Sequence, residues 1–391
     1  MGLLVFALVL LVAVLVSELA HRSVLSTAVV FLVAGFVAGT GVTDLIDVTP
    51  DAPAVRQLAE VALFAVLFTD GMRVGIRDLA SAWRLPGRAL FFGMPLTLVV
   101  TALLAHLIAG LGWLESFLIG AVLSPTDPVF AAAIVGRTGV PKRLRHLLNV
   151  ESGLNDGLAL PVVIVLLALL DREPVDAIEL VLELVYGIVV GIAVPWIALR
   201  LEKTRYLSPE PGLAALLPVA IGLAVFAISS ITHANLFLAA FFAGMTVETV
   251  NPAFTKAFQQ FGHLISEILK LAAILVFAAL ISPAFLAEIS VAGYVFAVLT
   301  LLLARPVSIG IALLGARIRP KEWAAAAWFG PKGFASVVYG LLVARSGVTT
   351  ADEMFHLIAI VVAGSILLHS STDVVVARQF SDLEDVAPLE S

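Results

Sequence analysis

Two short stretches hold most of the chemistry this chain can offer. One is Ser124-Pro125-Thr126-Asp127-Pro128 and the other Glu151-Ser152-Gly153-Leu154-Asn155-Asp156-Gly157, each setting acids inside an otherwise apolar run. An isolated charge at the centre of a bilayer costs at least ~2.5–3.5 kcal/mol even on lenient insertion scales, so acids retained there are functional and paired by default. On a helix Ser152 and Asp156 share a face at i, i+4, while Gly153 and Gly157 form a small-residue stripe that lets a neighbouring helix approach. Asp127 and Asp156 each lie about nine residues from the inner end of their apolar runs, which is roughly 14 Å along a helix and close to the midplane. Two carboxylates at one depth on sequential spans can share a cation. Oxygen donors alone, from Asp127, Asp156, Ser152 and the carbonyl of an interrupted helix, suit a hard ion such as Na⁺ or K⁺. Histidine and cysteine are missing from the cluster, which argues against a transition metal. Burial disfavours the charged form of a carboxylate, so Asp156 can trade a proton for a cation near physiological pH, and that competition is a complete antiport mechanism.

Other charges fall in apolar runs. Asp70, in Phe68-Thr69-Asp70-Gly71-Met72, stands at the inner end of its run, either as a boundary residue or as a third acid beside the site. Glu151 and Arg305 are natural partners, since each would be a costly lone charge and Glu151 points about 140° away from Asp156 on a helix. Their expected role is to join two core helices rather than to carry ions. Lys332, in Gly330-Pro331-Lys332-Gly333, can answer the negative end of the preceding half-helix and the site carboxylates. Lys270 is expected to snorkel or to pair with Glu267, and His233, His263, His356 and His369 form no pattern.

The elements that must position these residues are membrane helices. The 391 residues are 61% hydrophobic and only 13% charged, which rules out a water-soluble globule, and the apolar runs lack the period-two alternation of a barrel. There is no cysteine, so disulfides and thiol chemistry are excluded. The apolar start lacks a basic region and a clear small-x-small cleavage site, and it reads as a first span rather than a signal peptide. Runs long enough to span lie near 2–20, 23–40, 54–70, 89–111, 114–136, 147–170, 178–200, 212–230, 235–249, 260–281, 291–316, 322–344 and 354–376. The fold class expected is therefore an all-α polytopic membrane protein of about thirteen transmembrane helices. Alternate loops collect most of the 23 basic residues on one side, among them Arg73, Arg84, Arg88, Arg143, Lys203, Lys256, Arg319 and Arg378. The positive-inside rule then places the N-terminus outside and the C-terminus in the cytoplasm, in a cell-membrane protein.

Two of these spans are interrupted. Pro125 removes a backbone donor, and Thr126 or Asp127 followed by Pro128 reads as the cap and first turn of a restarting helix. Gly330-Pro331-Lys332-Gly333 breaks a second span at comparable depth, in a segment running the other way. Either alone would pass for a proline kink, but a matched pair in corresponding places of two inverted halves is the pattern of a secondary transporter, because irregular backbone at membrane depth must line a cavity or be buried in protein. The division expected is one transporter domain over 1–377, with halves 1–170 and 212–377 joined by a linking helix at 178–200, and a short cytoplasmic tail at 378–391.

At these motifs, together with Ala304-Arg305-Pro306, the chain resembles the monovalent cation:proton antiporter-1 family, in particular its NhaP-type sodium/proton antiporters and, more distantly, the animal sodium/proton exchangers. The resemblance implies a homodimer of thirteen-span protomers, each with a dimerisation domain and a six-helix core that moves like an elevator. It also implies that Asn155-Asp156 marks electroneutral exchange, where electrogenic relatives have two aspartates, and that Asp156, Asp127, Thr126, Ser152 and Asp70 are ion ligands. Asp70 stands where such proteins often have glutamate and Lys332 where arginine is common, and the first departure bears on Na⁺ against K⁺ preference. The short tail implies control by pH and substrate competition alone.

The function expected is one-for-one exchange of Na⁺, or Li⁺, for H⁺ by alternating access, serving pH homeostasis, with a K⁺/H⁺ antiporter as runner-up. No enzymatic activity, cofactor or nucleic-acid partner is expected. An intramembrane aspartyl protease built on Asp127 and Asp156 would require motifs that neither acid carries, and a channel would need a filter repeated by symmetry rather than inverted broken helices.

Overall fold

The computed structural model describes residues 1–16, 26–73, 85–127, 140–171, 177–204, 209–316 and 318–381. The described secondary structure is helical, and every expected apolar run carries helix: α1 (Gly2–Leu15), α2 (Thr27–Ala38), α3 (Pro53–Arg73), α4 (Pro86–Ala109), α5 (Trp113–Leu123), α6 (Lys142–Leu170), α7 (Ala177–Glu202), α8 (Leu216–Thr232), α9 (Leu236–Val250), α10 (Pro252–Ala279), a short unanticipated α11 (Pro283–Glu288), α12 (Val291–Ala312), α13 (Pro320–Trp328), α14 (Phe334–Ala344) and α15 (Ala351–Ser381). By length and composition, α4, α6, α7, α10, α12 and the Ala351–Thr372 part of α15 are each able to cross a membrane. The chain is an all-α, multi-pass membrane protein.

Helix α7 shows why the surroundings must be apolar. Ile178, Val181, Leu182, Val185, Val189 and Ile192 stand exposed along it, and α1 exposes Leu3, Leu4, Leu8 and Leu11 in the same way. Contiguous apolar surface of this kind is stable against lipid or another protein, not against water.

Several helices start earlier than hydropathy alone predicts. Helix α10 begins at Pro252, not near 260, because Asn251 caps it by accepting from the Ala253 amide and Pro252 fits the first turn. Pro95 and Pro306 each follow a π-helical turn, at Ala89–Gly93 and Thr300–Ala304. Each proline leaves the carbonyl four residues back without its usual donor, and a widened turn is one way for a helix to continue through that gap.

The centre of the molecule is the packing of α3 against α9, with α10 laid across α2 and α3. The approach of α3 and α9 is reciprocal: a Cβ at Gly71 would strike the Phe241 carbonyl oxygen, and one at Gly244 the Phe68 carbonyl oxygen. Two glycines thus bring two backbones into contact, as membrane helices do where lipid supplies no hydrophobic drive for association. Gly244→Ala is expected to cost about 1–3 kcal/mol, since backbone must move to admit a methyl group. A lowered thermal midpoint in detergent would register it; an unchanged midpoint would mean that the contact is slack.

Candidate functional site

The two interrupted spans meet at their breaks. Helix α5 ends at Leu123, α13 at Trp328, and α14 starts at Phe334, which leaves 124–127 and 329–333 outside the helices. The Asp127 amide donates to the Pro331 carbonyl over 2.9 Å, and the Phe334 amide donates to Asp127 Oδ2 over 3.3 Å. Gly333 lies so close that a Cβ there would collide with the Asp127 side chain. Below this crossing the Ser336 hydroxyl donates to the Val122 carbonyl over 2.7 Å. Asp127 therefore does cap a helix, but it is α14 of the other interrupted span, where a carboxylate meets the positive end of the helix dipole. Pro128 and the segment in which the first broken helix would restart lie outside the described residues.

Helix α6 brings the second motif against the first. Asn155 Nδ2 donates to the Thr126 carbonyl oxygen over 3.2 Å and to Thr126 Oγ1 over 2.8 Å, and Thr126 Oγ1 lies 3.3 Å from Ser152 Oγ. Asp156 is held at its backbone, where Tyr339 OH donates to its carbonyl over 2.8 Å. The residue is 6% exposed, and its Oδ1, like Oδ1 of Asn155, is buried with no hydrogen-bond partner among the described residues. Buried acceptors are normally satisfied, so these two oxygens, on consecutive residues of α6, fit the demand of a hard cation or a proton.

The remaining charges sort into pairs. Asp70 accepts from Arg73 at 2.8 Å, one turn on along α3. Glu151 and Arg305 form a buried bidentate pair at 2.6 and 2.9 Å, and Arg305 Nε also donates to the Ala326 carbonyl over 3.1 Å. That fork joins α6, α12 and α13. Lys332 does not reach the site acids: its amide donates to Ser365 Oγ over 2.7 Å, and its buried Nζ has no hydrogen-bond partner among the described residues. The expectation for Lys270 is corrected, since it is 7% exposed and its Nζ lies 3.8 Å from Asp127 Oδ2. Its signal was a lysine deep in an apolar run; the nearby Glu267 drew the reading toward a local pair. Tyr339 and Ser336 carried no sequence signal at all, because a hydroxyl in an apolar helix is common.

A cavity of about 690 Å³ opens at the end of the molecule that carries Arg73, Lys256 and His263, with Thr69, Glu248 and Gln259 also in its wall. Arg73 Nη2 lies 3.4 Å from His263 Nδ1, and Thr69 Oγ1 lies 2.8 Å from Ser266 Oγ, so α3 and α10 touch at the floor of the cavity. Asp70 is buried and bonded to Arg73 of that wall.

Comparison with known proteins places this geometry in context. Residues 6–378 match the family model described as sodium/hydrogen exchanger, transmembrane. The chain is 25% identical over 384 residues to a K(+)/H(+) antiporter NhaP2 of Shewanella baltica, covering 96% of this chain and 66% of that protein. It is likewise 25% identical over 380 residues to a K(+)/H(+) antiporter NhaP of Alkalimonas amylolytica, with the same coverage of 96% and 66%. The chain thus spans about two thirds of the length of these curated relatives. Among solved structures, the sodium proton antiporter MjNhaP1 from Methanocaldococcus jannaschii at pH 8 superposes with a TM-score of 0.79 at 18% identity, covering 97% of both chains.

Proposed function

The chain belongs to the transmembrane sodium/hydrogen exchanger family, and we propose from that premise that it exchanges a monovalent cation, Na⁺ in the first place, for a proton by alternating access. The observation that carries this reading is Asp156 Oδ1, a buried acceptor without a hydrogen-bond partner among the described residues, on the residue that follows Asn155, whose side chain bonds Thr126 at the first helix break, and that Tyr339 of the second broken span holds by its backbone. Either a proton or a cation satisfies that oxygen, and mutual exclusion of the two couples their movements. Asp127 and the Thr126 carbonyl complete the oxygen set, and Asp70 passes the ion between the site and the cavity. The cavity faces the cytoplasm in this reading, with the N-terminus outside. The halves 1–170 and 212–377 are inverted repeats about the linking helix, and a second copy covers the apolar faces of α1 and α7.

K⁺ in place of Na⁺ is the second reading, favoured by the relatives named as K(+)/H(+) antiporters. The two ions take the same ligands and differ in the cavity size they need. In proteoliposomes with an imposed pH gradient, Na⁺ is expected to dissipate the gradient, with K⁺ and Li⁺ compared in parallel. A faster response to K⁺ would establish the second reading, and no response to any of the three would overturn both.

A pH dependence follows with a definite sign. Protons compete with the cation for Asp156, so lowering the pH raises the apparent KM for the cation, by at most about tenfold per pH unit for one competing proton. The maximal rate at saturating cation is expected to change less than KM. A KM indifferent to pH would remove the shared carboxylate from the mechanism.

A further inference from the structure

We propose that Lys270 is the standing counter-cation of Asp127, so that the buried cluster accepts one exchangeable cation and Asp156 alone carries it. This rests on the exchange reading above and adds what sets its stoichiometry. Among the described residues each buried acid of the cluster but one has a basic partner: Asp70 has Arg73 at 2.8 Å, Asp127 has Lys270 at 3.8 Å, and Glu151 has Arg305 at 2.6 Å. Asp156 is the exception, with no ion pair and an unpartnered Oδ1.

The geometry makes the Lys270 pairing a fixed one. Asp127 is clamped by two backbone bonds to the facing break, through its own amide to Pro331 and through Oδ2 to the Phe334 amide. Lys270 lies well inside α10 and is buried, with its ammonium 3.8 Å from Asp127 Oδ2. Glu267, a turn earlier on α10, is half-buried and makes no ion pair with it among the described residues. A lysine held this way is a cation tethered to the site. With Asp127 balanced by Lys270, the cluster is neutral whether Asp156 holds a proton or a monovalent cation, and neither leg of the cycle moves net charge. Without Lys270, Asp127 would either draw in a second cation or carry an uncompensated charge across the membrane.

The test uses the full chain in proteoliposomes, with Na⁺ as substrate, equal pH on both sides and the potential clamped with valinomycin and K⁺. The wild-type initial rate is expected to be independent of potential, and Lys270→Arg to keep that independence. Lys270→Gln is expected to make the rate vary steeply with potential. Asp127→Asn leaves a lone ammonium beside the site, and its like charge is expected to weaken apparent Na⁺ affinity on the order of tenfold or more. The double variant Asp127→Asn, Lys270→Gln removes both charges and is expected to recover most of that affinity. A double variant no better than Asp127→Asn, or a Lys270→Gln rate still indifferent to potential, would overturn the role of Lys270. If Lys270→Gln alone fails to fold, recovery in the double variant decides. Wild-type protein that moves no monovalent cation against protons would overturn the exchange reading and this role with it, whereas wild-type exchange without rescue overturns this role only.

Discussion

Asp156→Asn is expected to reduce cation/proton exchange to the level of protein-free liposomes while the protein folds and melts as before or at a higher temperature. The asparagine side chain has nearly the same shape, so the packing of α6 is preserved. Nothing structural is lost, because the Asp156 carboxylate oxygen Oδ1 has no hydrogen-bond partner among the described residues and the residue is anchored through its backbone to Tyr339. What is lost, on the reading proposed above, is the group that trades a proton for a cation, and with it the coupling. Removing an unpaired buried acid also removes a desolvation cost, which accounts for the direction expected of the melting temperature. Exchange above a small fraction of wild type would show that the carrier is another acid, and a large drop in melting temperature would show that Asp156 is structural.

Breaking the Glu151–Arg305 pair is expected to have the largest effect on stability. The fork is bidentate and buried, so either alanine substitution leaves its partner charged in a low-dielectric interior, at a cost of about 3–5 kcal/mol. The two losses are not expected to be equal. Lys332 lies in the field of this pair, and its ammonium has no hydrogen-bond partner among the described residues. Glu151→Ala therefore strands two neighbouring cations, whereas Arg305→Ala leaves Glu151 with Lys332 nearby, so the first is expected to be the more damaging. The double substitution should be milder than the sum of the singles. Thermal unfolding of the four proteins of this cycle decides the matter: additive losses would mean no coupling, and equal single losses would mean that Lys332 takes no part.

Much of the architecture was legible in the sequence because the bilayer imposes it. A helix must be apolar for about 20 residues to cross, and breakers such as Pro125 and Gly330-Pro331 are tolerated at depth only for a reason, so the runs and their interruptions could be read off directly. The same cost of buried charge singled out Asp127, Glu151, Asp156, Arg305 and Lys332 before any contact was known. Boundaries were less legible where a cap decides them, as Asn251 does for α10, and the short α11 gave no apolar run to detect.

Which charge meets which was decided by the tertiary structure. Composition determined that the chain lives in a membrane, and hydropathy and breakers determined where its helices lie and stop; these are one-dimensional constraints. Hydropathy does not determine how each helix is rotated about its axis, because lipid is as apolar as leucine and a uniformly apolar helix has no preferred inward face. That rotation aims Lys270 across the bundle at Asp127, turns Asp127 onto the amide of Phe334 in the other broken helix, and leaves Lys332 apart from the acids it was expected to answer. It is set by close backbone approaches such as Gly71 on Phe241 and Gly244 on Phe68, which are pairwise and distant along the chain, so no local pattern records them.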